Sequence, residues 1–88
     1  MPDQTEIIER HRQAVEATIR RQIVNIFRLT SAYSEGQLRS ELAARHVSMN
    51  DFVRHHHGLG IQHTRVMEEH PWWMWFIPED WNPDKEIT

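Results

Sequence analysis

Apolar residues recur at helical spacing in the first third of the chain, three, four or seven positions apart. This spacing predicts a helix over residues 6–29, either continuous or kinked near Ala14. The half before Val15 is poor in apolar residues, so we expect it to fray or to pack on another subunit. The stripe consists of Ile8, Val15, Ile19, Ile23, Ile26 and Phe27.

Two further short helices are predicted between residues 34 and 59. Ser34 and Gln37 have the spacing of a capping box, in which a serine oxygen and a side chain three residues on satisfy each other's orphan backbone amides. Ser48 repeats the start signal, and Gly58 and Gly60 end the last helix. Two capped helices separated by about three residues are typical of a helix-turn-helix. The inward positions expected on the last helix are Phe52, His56 and Leu59.

Beyond Gly60 the pattern changes to β-branched and aromatic runs over residues 61–67 and 72–77, joined by a four-residue turn. This predicts a hairpin at a sheet edge, followed by an acidic extended tail over residues 79–88. The predicted fold class is α+β, mainly α, with three helices followed by a β-hairpin. Residues 1–78 then form a single domain, because 88 residues leave no room for a second core.

The composition narrows the functional classes. The longest apolar run has six residues, whereas a membrane-spanning helix needs about 20, and the N-terminus lacks the apolar stretch of a signal peptide. We therefore expect a cytoplasmic protein with no membrane partner. With no cysteine there is no thiolate nucleophile and no cysteine-ligated zinc.

No catalytic or metal-binding arrangement stands out. The sequence has no glycine-rich phosphate loop, no HExxH motif and no paired inward carboxylates, so we expect no enzymatic activity and no cofactor. The run His55, His56 and His57 is a poor metal site, because successive helical side chains point about 100° apart. No metal is expected.

The net charge of −3 is unevenly distributed. Residues 17–65 carry seven arginines against three acids, whereas residues 66–88 carry six acids against one lysine. Five of the seven histidines also lie in the basic middle of the chain. A polyanion would therefore meet the middle segment first.

The stretch QLRSELAARHVSMNDFVRHHHGL, residues 37–59, resembles the winged helix-turn-helix domain of bacterial and phage transcription regulators. The matching elements are Glu41-Leu42-Ala43 on the second helix, Val47-Ser48 at the start of the third, and Arg54-His55 within it. The resemblance implies that the third helix enters the major groove of DNA and that the hairpin is the wing.

On this resemblance, Arg54 and Asn50 would read bases. Arginine can bond guanine O6 and N7 together, and asparagine can do the same at adenine, each for about 1–3 kcal/mol of discrimination. Arg39, Arg45 and His55, with Arg65 on the wing, would contact phosphates. The DNA-binding residues expected in this way are Arg39, Arg45, Ser48, Met49, Asn50, Val53, Arg54, His55, His57 and Arg65.

The last strand is apolar on both faces, with Trp72, Met74 and Phe76 on one side and Trp73 and Trp75 on the other. Helices ordinarily cover one face, so the other needs the N-terminal helix half, the tail or a second subunit. We expect a homodimer built on the hairpin, the first helix or both. The predicted interface residues are Ile8, Val15, Trp72, Trp73, Trp75 and Trp81.

Together these features predict a dimeric, sequence-specific transcriptional regulator whose partner is double-stranded DNA. The alternative is a protein-interaction module, an inhibitor or adaptor, that keeps the winged-helix frame and binds a protein partner at the tryptophan-rich hairpin. The net acidity and the single lysine favour the alternative. A subunit of a larger assembly is a third possibility.

Overall fold

The computed structural model describes residues 4–83, which form an α+β fold that is mainly helical. Three helices accompany a three-stranded antiparallel sheet, and none of these helices has the length and apolar character needed to cross a membrane. The elements are α1 (Gln4–Leu29), β1 (Ala32–Ser34), α2 (Glu35–Ala44), α3 (Met49–His56), β2 (Gln62–Val66) and β3 (Trp72–Phe76).

Helix α1 is continuous over 26 residues, so this part of the chain forms one helix rather than two. Its buried residues all lie in the C-terminal part, from Ile23 to Phe27. Residues 4–15 are exposed throughout. The prediction that the N-terminal half lies outside the core is therefore confirmed.

Helix α2 begins with the predicted capping box and ends in a Schellman motif. The Gln37 amide donates to Ser34 Oγ at 3.3 Å, and the Ser34 amide donates to Gln37 Oε1 at 3.1 Å. At the other end, the amides of His46 and Val47 donate to the carbonyls of Ala43 and Leu42. His46 takes the left-handed conformation that closes this motif, with φ 58°. The turn into α3 is therefore fixed by local hydrogen bonds.

Helix α3 starts at the predicted cap, because Ser48 Oγ accepts a hydrogen bond from the Asp51 amide at 3.1 Å. A second Schellman pattern follows the helix, in which the amides of Gly60 and Ile61 donate to the carbonyls of His57 and His56. Gly60 has φ 75°, as its position in this motif requires.

The sheet differs from the predicted edge hairpin. Strands β2 and β3 pair as expected, but β1 pairs with the other side of β3, so the strand order is β1-β3-β2 and β3 is central. The three residues of β1 are too few to show an alternating pattern. Tyr33 secures this strand, since its hydroxyl donates to the Ile26 carbonyl at 2.6 Å.

The core lies between the helices and one face of the sheet. The Phe27 ring packs edge-on against Tyr33 and stacks with Phe52, whose ring in turn meets Trp75 edge-on at 4.9 Å. Leu38 and Leu42 of α2 are fully buried beside them. These contacts hold one side of α3 against the sheet. The opposite side of α3 is exposed to solvent.

The segment after β3 folds back onto the core as far as it is described. Trp81 Nε1 donates to the Leu59 carbonyl at 2.6 Å, and its ring meets Phe27 edge-on. Pro83 is buried. The predicted extended tail is therefore wrong for residues 79–83, because tryptophan finds both apolar contact and a hydrogen-bond acceptor there. Residues 84–88 lie outside the described part of the chain.

Candidate nucleic-acid interface

The outward face of α3, extended by its C-cap residue His57, carries four exposed side chains, Asn50, Val53, Arg54 and His57. Their spacing of three, four and seven positions places them on one stripe of the helix. Phe52 is fully buried on the opposite side. The face that the sequence assigns to the major groove is thus solvent-accessible.

Two other residues predicted on this interface face inward. Met49 is half-buried and packs against the hydrophobic core. His55 is only 12% exposed at its side chain and bonds to Glu16 on α1 through Nε2. Neither presents the free surface that a base or phosphate contact needs, because the first turn of α3 and the side facing α1 are used in packing.

The neighbouring histidines have different surroundings. The side chain of His56 is half-buried among the rings of Phe52, Trp75 and His63. Its Nδ1 lies 3.0 Å from the Ile61 carbonyl. No cluster of three potential metal ligands forms among residues 4–83.

Arg54 is held by two carboxylates. Its Nη2 donates to both carboxylate oxygens of Glu16, at 2.9 and 3.0 Å, and lies 2.9 Å from Asp51 Oδ1. Half of its side chain remains exposed, at 53%. Every hydrogen bond that Arg54 donates to the described residues uses Nη2, which leaves Nη1 and Nε as two separate donors.

Glu16 is therefore the electrostatic centre of this surface. The hydrogen bond from His55 lowers its pKa below the ordinary value of 4.5, and Arg54 lowers it further, against the opposing effect of desolvation. The carboxylate is ionised at neutral pH and partly offsets the positive charge of α3. Sequence analysis missed Glu16, because the residues that it contacts are 38 and 39 positions away.

The other predicted phosphate contacts near α2 and α3 have internal partners. Arg39 lies 3.7 Å from Glu35 in an exposed pair, whereas Arg45 Nη1 is 2.7 Å from Glu41 and also donates to the Glu41 carbonyl. Exposed pairs contribute about 0–1 kcal/mol, so a phosphate can displace Glu35 from Arg39 at little cost. Ser48 is exposed but uses its hydroxyl as the cap of α3.

The hairpin adds a basic and aromatic surface beside α3. The Arg65 guanidinium lies 5.4 Å from the centroid of the Trp73 ring, and the His63 ring packs between Trp73 and Trp75. The His63 ring also lies 5.6 Å from that of His56. Alternation along β2 then puts Arg65 on the same sheet face as His63.

The predicted interface residues fall into three groups. Ile8 and Val15 are 57% and 44% exposed on the N-terminal half of α1. Trp72 is half-buried and Trp73 is 37% exposed. Trp75, at 7% exposed, and Trp81 pack within the chain, so Trp75 has almost no surface to offer a partner. Trp73 and Trp75 share a face, but only Trp75 lies under the helices.

Comparison of the chain with protein-family models, with curated proteins and with solved structures gives no match.

Proposed function

We propose that this chain binds double-stranded DNA through α3, with the hairpin as a wing, and acts as a dimeric transcriptional regulator. The observation that carries the proposal is the exposed stripe on α3, in which Asn50 and Arg54 present side chains suited to base edges. The element order, two capped helices joined by a tight turn and followed by a hairpin, also agrees with the winged-helix resemblance.

The surroundings of Arg54 favour base contact over phosphate contact. Glu16 and Asp51 together bring more negative charge than Arg54 neutralises, so a phosphate approaching this guanidinium is repelled. A guanine edge carries no net charge, so the two carboxylates do not repel it. Nη1 can donate to one guanine acceptor while Nη2 stays on the carboxylates. A bidentate contact with O6 and N7 uses Nη2 together with Nη1 or Nε, so Nη2 then exchanges Glu16 for the base.

Two copies are required by the magnitude of the electrostatic attraction. If one copy neutralises about four phosphates, the log-log salt slope is about −3.6, which is weak for specific recognition. A second copy doubles the number of phosphate contacts, and two α3 helices about 34 Å apart follow the repeat of the duplex.

Fluorescence anisotropy with a random-sequence duplex at low salt, followed by selection of bound sequences, tests the proposal. Asn50→Ala should weaken binding to the selected duplex about tenfold or more. Asn25→Ala changes an exposed asparagine on α1 and should leave binding unchanged. The pair Arg54→Ala and Arg21→Ala repeats the comparison with arginine. No duplex binding at low salt, or equal losses within each pair, would refute the proposal.

The second candidate is a protein-interaction module. Its support is the pair of carboxylates at Arg54, which lower the positive potential of α3, and the net charge of −3. Absence of duplex binding by a folded wild-type chain would favour this candidate. Capture of one partner protein, lost on substitution of the α3 stripe, would then identify the same surface as a protein-binding site.

A further inference from the structure

The sheet has one face that the helices do not cover, which we call the outer sheet face. Alternation along the strands assigns the side chains of this face, and cross-strand pairing sets Met74 beside Thr64 and Ser34. The face carries no charged residue. Its members are Ala32, Ser34, Gln62, Thr64, Val66, Trp72, Met74 and Phe76.

All ring contacts between the helices and the sheet, within residues 4–83, use the other face. Phe27 and Phe52 meet Tyr33 and Trp75 there. Trp72, Met74 and Phe76 are half-buried, so each keeps part of its surface accessible to solvent. An apolar sheet face normally packs against a second layer, so this one lacks its layer.

The second uncovered surface is the N-terminal arm, which we define as residues 4–15 of α1. Every residue of the arm is exposed. Ile8 and Val15, seven positions apart, lie on the same side of the helix. A helical segment of about 12 residues is marginal by itself in water, because most helical stability in proteins comes from packing an apolar face. Beside Val15 lies a shallow apolar depression. It is lined by His11, Ala14, Val15, Thr18 and Ile19.

The two surfaces match in size and shape. Twelve helical residues span about 18 Å, and the five residues of β3 span about 17 Å. The small side chains of Ala14 and Thr18 leave room in the depression for a bulky ring such as that of Trp72. A helix laid along an apolar strand supplies the missing layer.

The charges around the two surfaces are complementary. At about 100° per residue, His11 and Arg12 border the Ile8–Val15 line on either side, whereas Glu6 lies about 170° away on the back of the helix. The outer sheet face has an acidic neighbour, since Glu68 accepts a hydrogen bond from Trp72 Nε1 at 3.3 Å, and Glu69 beside it is exposed. Arg12 lies 3.8 Å from Glu9 in an exposed pair, which contributes about 0–1 kcal/mol, so Arg12 can exchange this partner for the acidic end of the sheet at little cost.

We infer that a second copy of this chain covers both surfaces at once. In a twofold dimer the N-terminal arm of each copy lies on the outer sheet face of the other, so each arm and each face is used. The inference does not depend on DNA binding.

Mixing experiments with two variants test this arrangement by sedimentation velocity. Ile8→Glu impairs the arm, and Met74→Glu impairs the outer sheet face. Matched controls are Gln13→Glu on the back of the arm and His70→Glu in the β2–β3 turn, both exposed. The wild type and the controls should be dimers at about 10 μM, and each test variant should dimerise at least tenfold more weakly.

An equimolar mixture of the two test variants should recover dimers. In the mixed dimer, the intact arm of the Met74→Glu chain lies on the intact face of the Ile8→Glu chain, which preserves one of the two contacts. An arm-to-arm dimer would tolerate Met74→Glu, and a face-to-face dimer would tolerate Ile8→Glu. Tolerance of either test substitution overturns the inference. So does a wild type that is monomeric at about 100 μM, or a mixture of the two test variants that recovers no dimer.

Circular dichroism checks that each variant is folded. A second pair at exposed positions, Val15→Glu and Thr64→Glu, repeats the experiment if Ile8→Glu or Met74→Glu fails to fold. Recovery on mixing this second pair supports the same reciprocal dimer, and failure to recover contradicts it.

Discussion

Arg54 on α3 donates two hydrogen bonds from Nη2 to the carboxylate of Glu16 on α1, although the two residues are 38 positions apart. The His55 ring bonds through Nε2 to Oε2 of the same carboxylate. Glu16 lies one residue beyond the N-terminal arm. The ion pair therefore fixes the orientation of α3 at the point where α1 leaves the core.

Neutralising Glu16 should flatten the acid limb of the stability profile. Because the folded-state pKa of Glu16 is lowered by His55 and Arg54, its contribution is fully present above the unfolded-state value near 4.5 and is lost as the pH falls below it. Urea midpoints of the wild type should therefore fall more steeply between about pH 5 and pH 3 than those of Glu16→Gln.

Glu9→Gln is the matched control for this measurement. Glu9 forms a weak, exposed ion pair on the arm, 3.8 Å from Arg12. The urea midpoints of Glu9→Gln should therefore fall with pH as steeply as those of the wild type. Parallel acid limbs for the wild type and Glu16→Gln would show that the carboxylate contributes nothing to folding.

Much of the fold was predictable because its signals are local. The capping box at Ser34 and the N-cap at Ser48 begin their helices as the side-chain spacing indicates. Strand β1 was not predictable in this way. Its pairing partner, β3, is 40 positions further along the chain, and its register is set by packing of Tyr33 in the core.

The candidate site likewise contains some residues that local spacing places and others that only tertiary packing places. Helical spacing alone places Asn50 and Arg54 on the outward stripe of α3. The position of Glu16 depends on how α1 crosses α3, which no local pattern specifies. The different burial of Trp73 and Trp75 likewise depends on which part of the hairpin the helices reach.

The left-handed conformation of His46 makes this residue a site for stabilisation. A non-glycine residue with φ near +58° costs about 1–2 kcal/mol relative to its preferred conformations, and glycine avoids most of this cost. His46→Gly should raise the free energy of unfolding by up to about 1 kcal/mol, after allowance for the greater chain entropy of glycine. Urea denaturation measures the change.

Gly60→Ala is the opposite case. Gly60 has φ 75°, and an added Cβ would lie 3.4 Å from Trp81 Cδ1, so we expect a loss of about 1–2 kcal/mol. Gly36→Ala serves as a control, because nothing lies within 4 Å of its added Cβ and alanine favours the helix. Destabilisation by His46→Gly would show that the imidazole makes a compensating contribution.

The stability lost on substituting phenylalanine for Trp75 or Trp81 should follow the order opposite to the burial of the two rings. Trp75 is 7% exposed, yet its Nε1 is buried without a hydrogen-bond partner, so removing that donor relieves about 1–3 kcal/mol of desolvation cost. Trp81 is half-buried, but its Nε1 donates to the Leu59 carbonyl at 2.6 Å. Trp81→Phe should therefore destabilise the chain more than Trp75→Phe in urea denaturation. A larger loss for Trp75→Phe would mean that its ring volume outweighs the unpaired donor.

Glu16 should also limit binding of α3 to duplexes of unrelated sequence. Replacing its carboxylate with a neutral amide removes a negative charge beside Arg54, which is 53% exposed, so a phosphate can approach this guanidinium. Glu16→Gln should bind a random-sequence duplex more tightly than the wild type, and its log-log salt slope should steepen by about 0.9 for each added phosphate contact. Glu9→Gln makes the same charge change on the arm and should have a smaller effect. Equal gains for the two variants would assign the change to net charge alone and remove the specific role of Glu16.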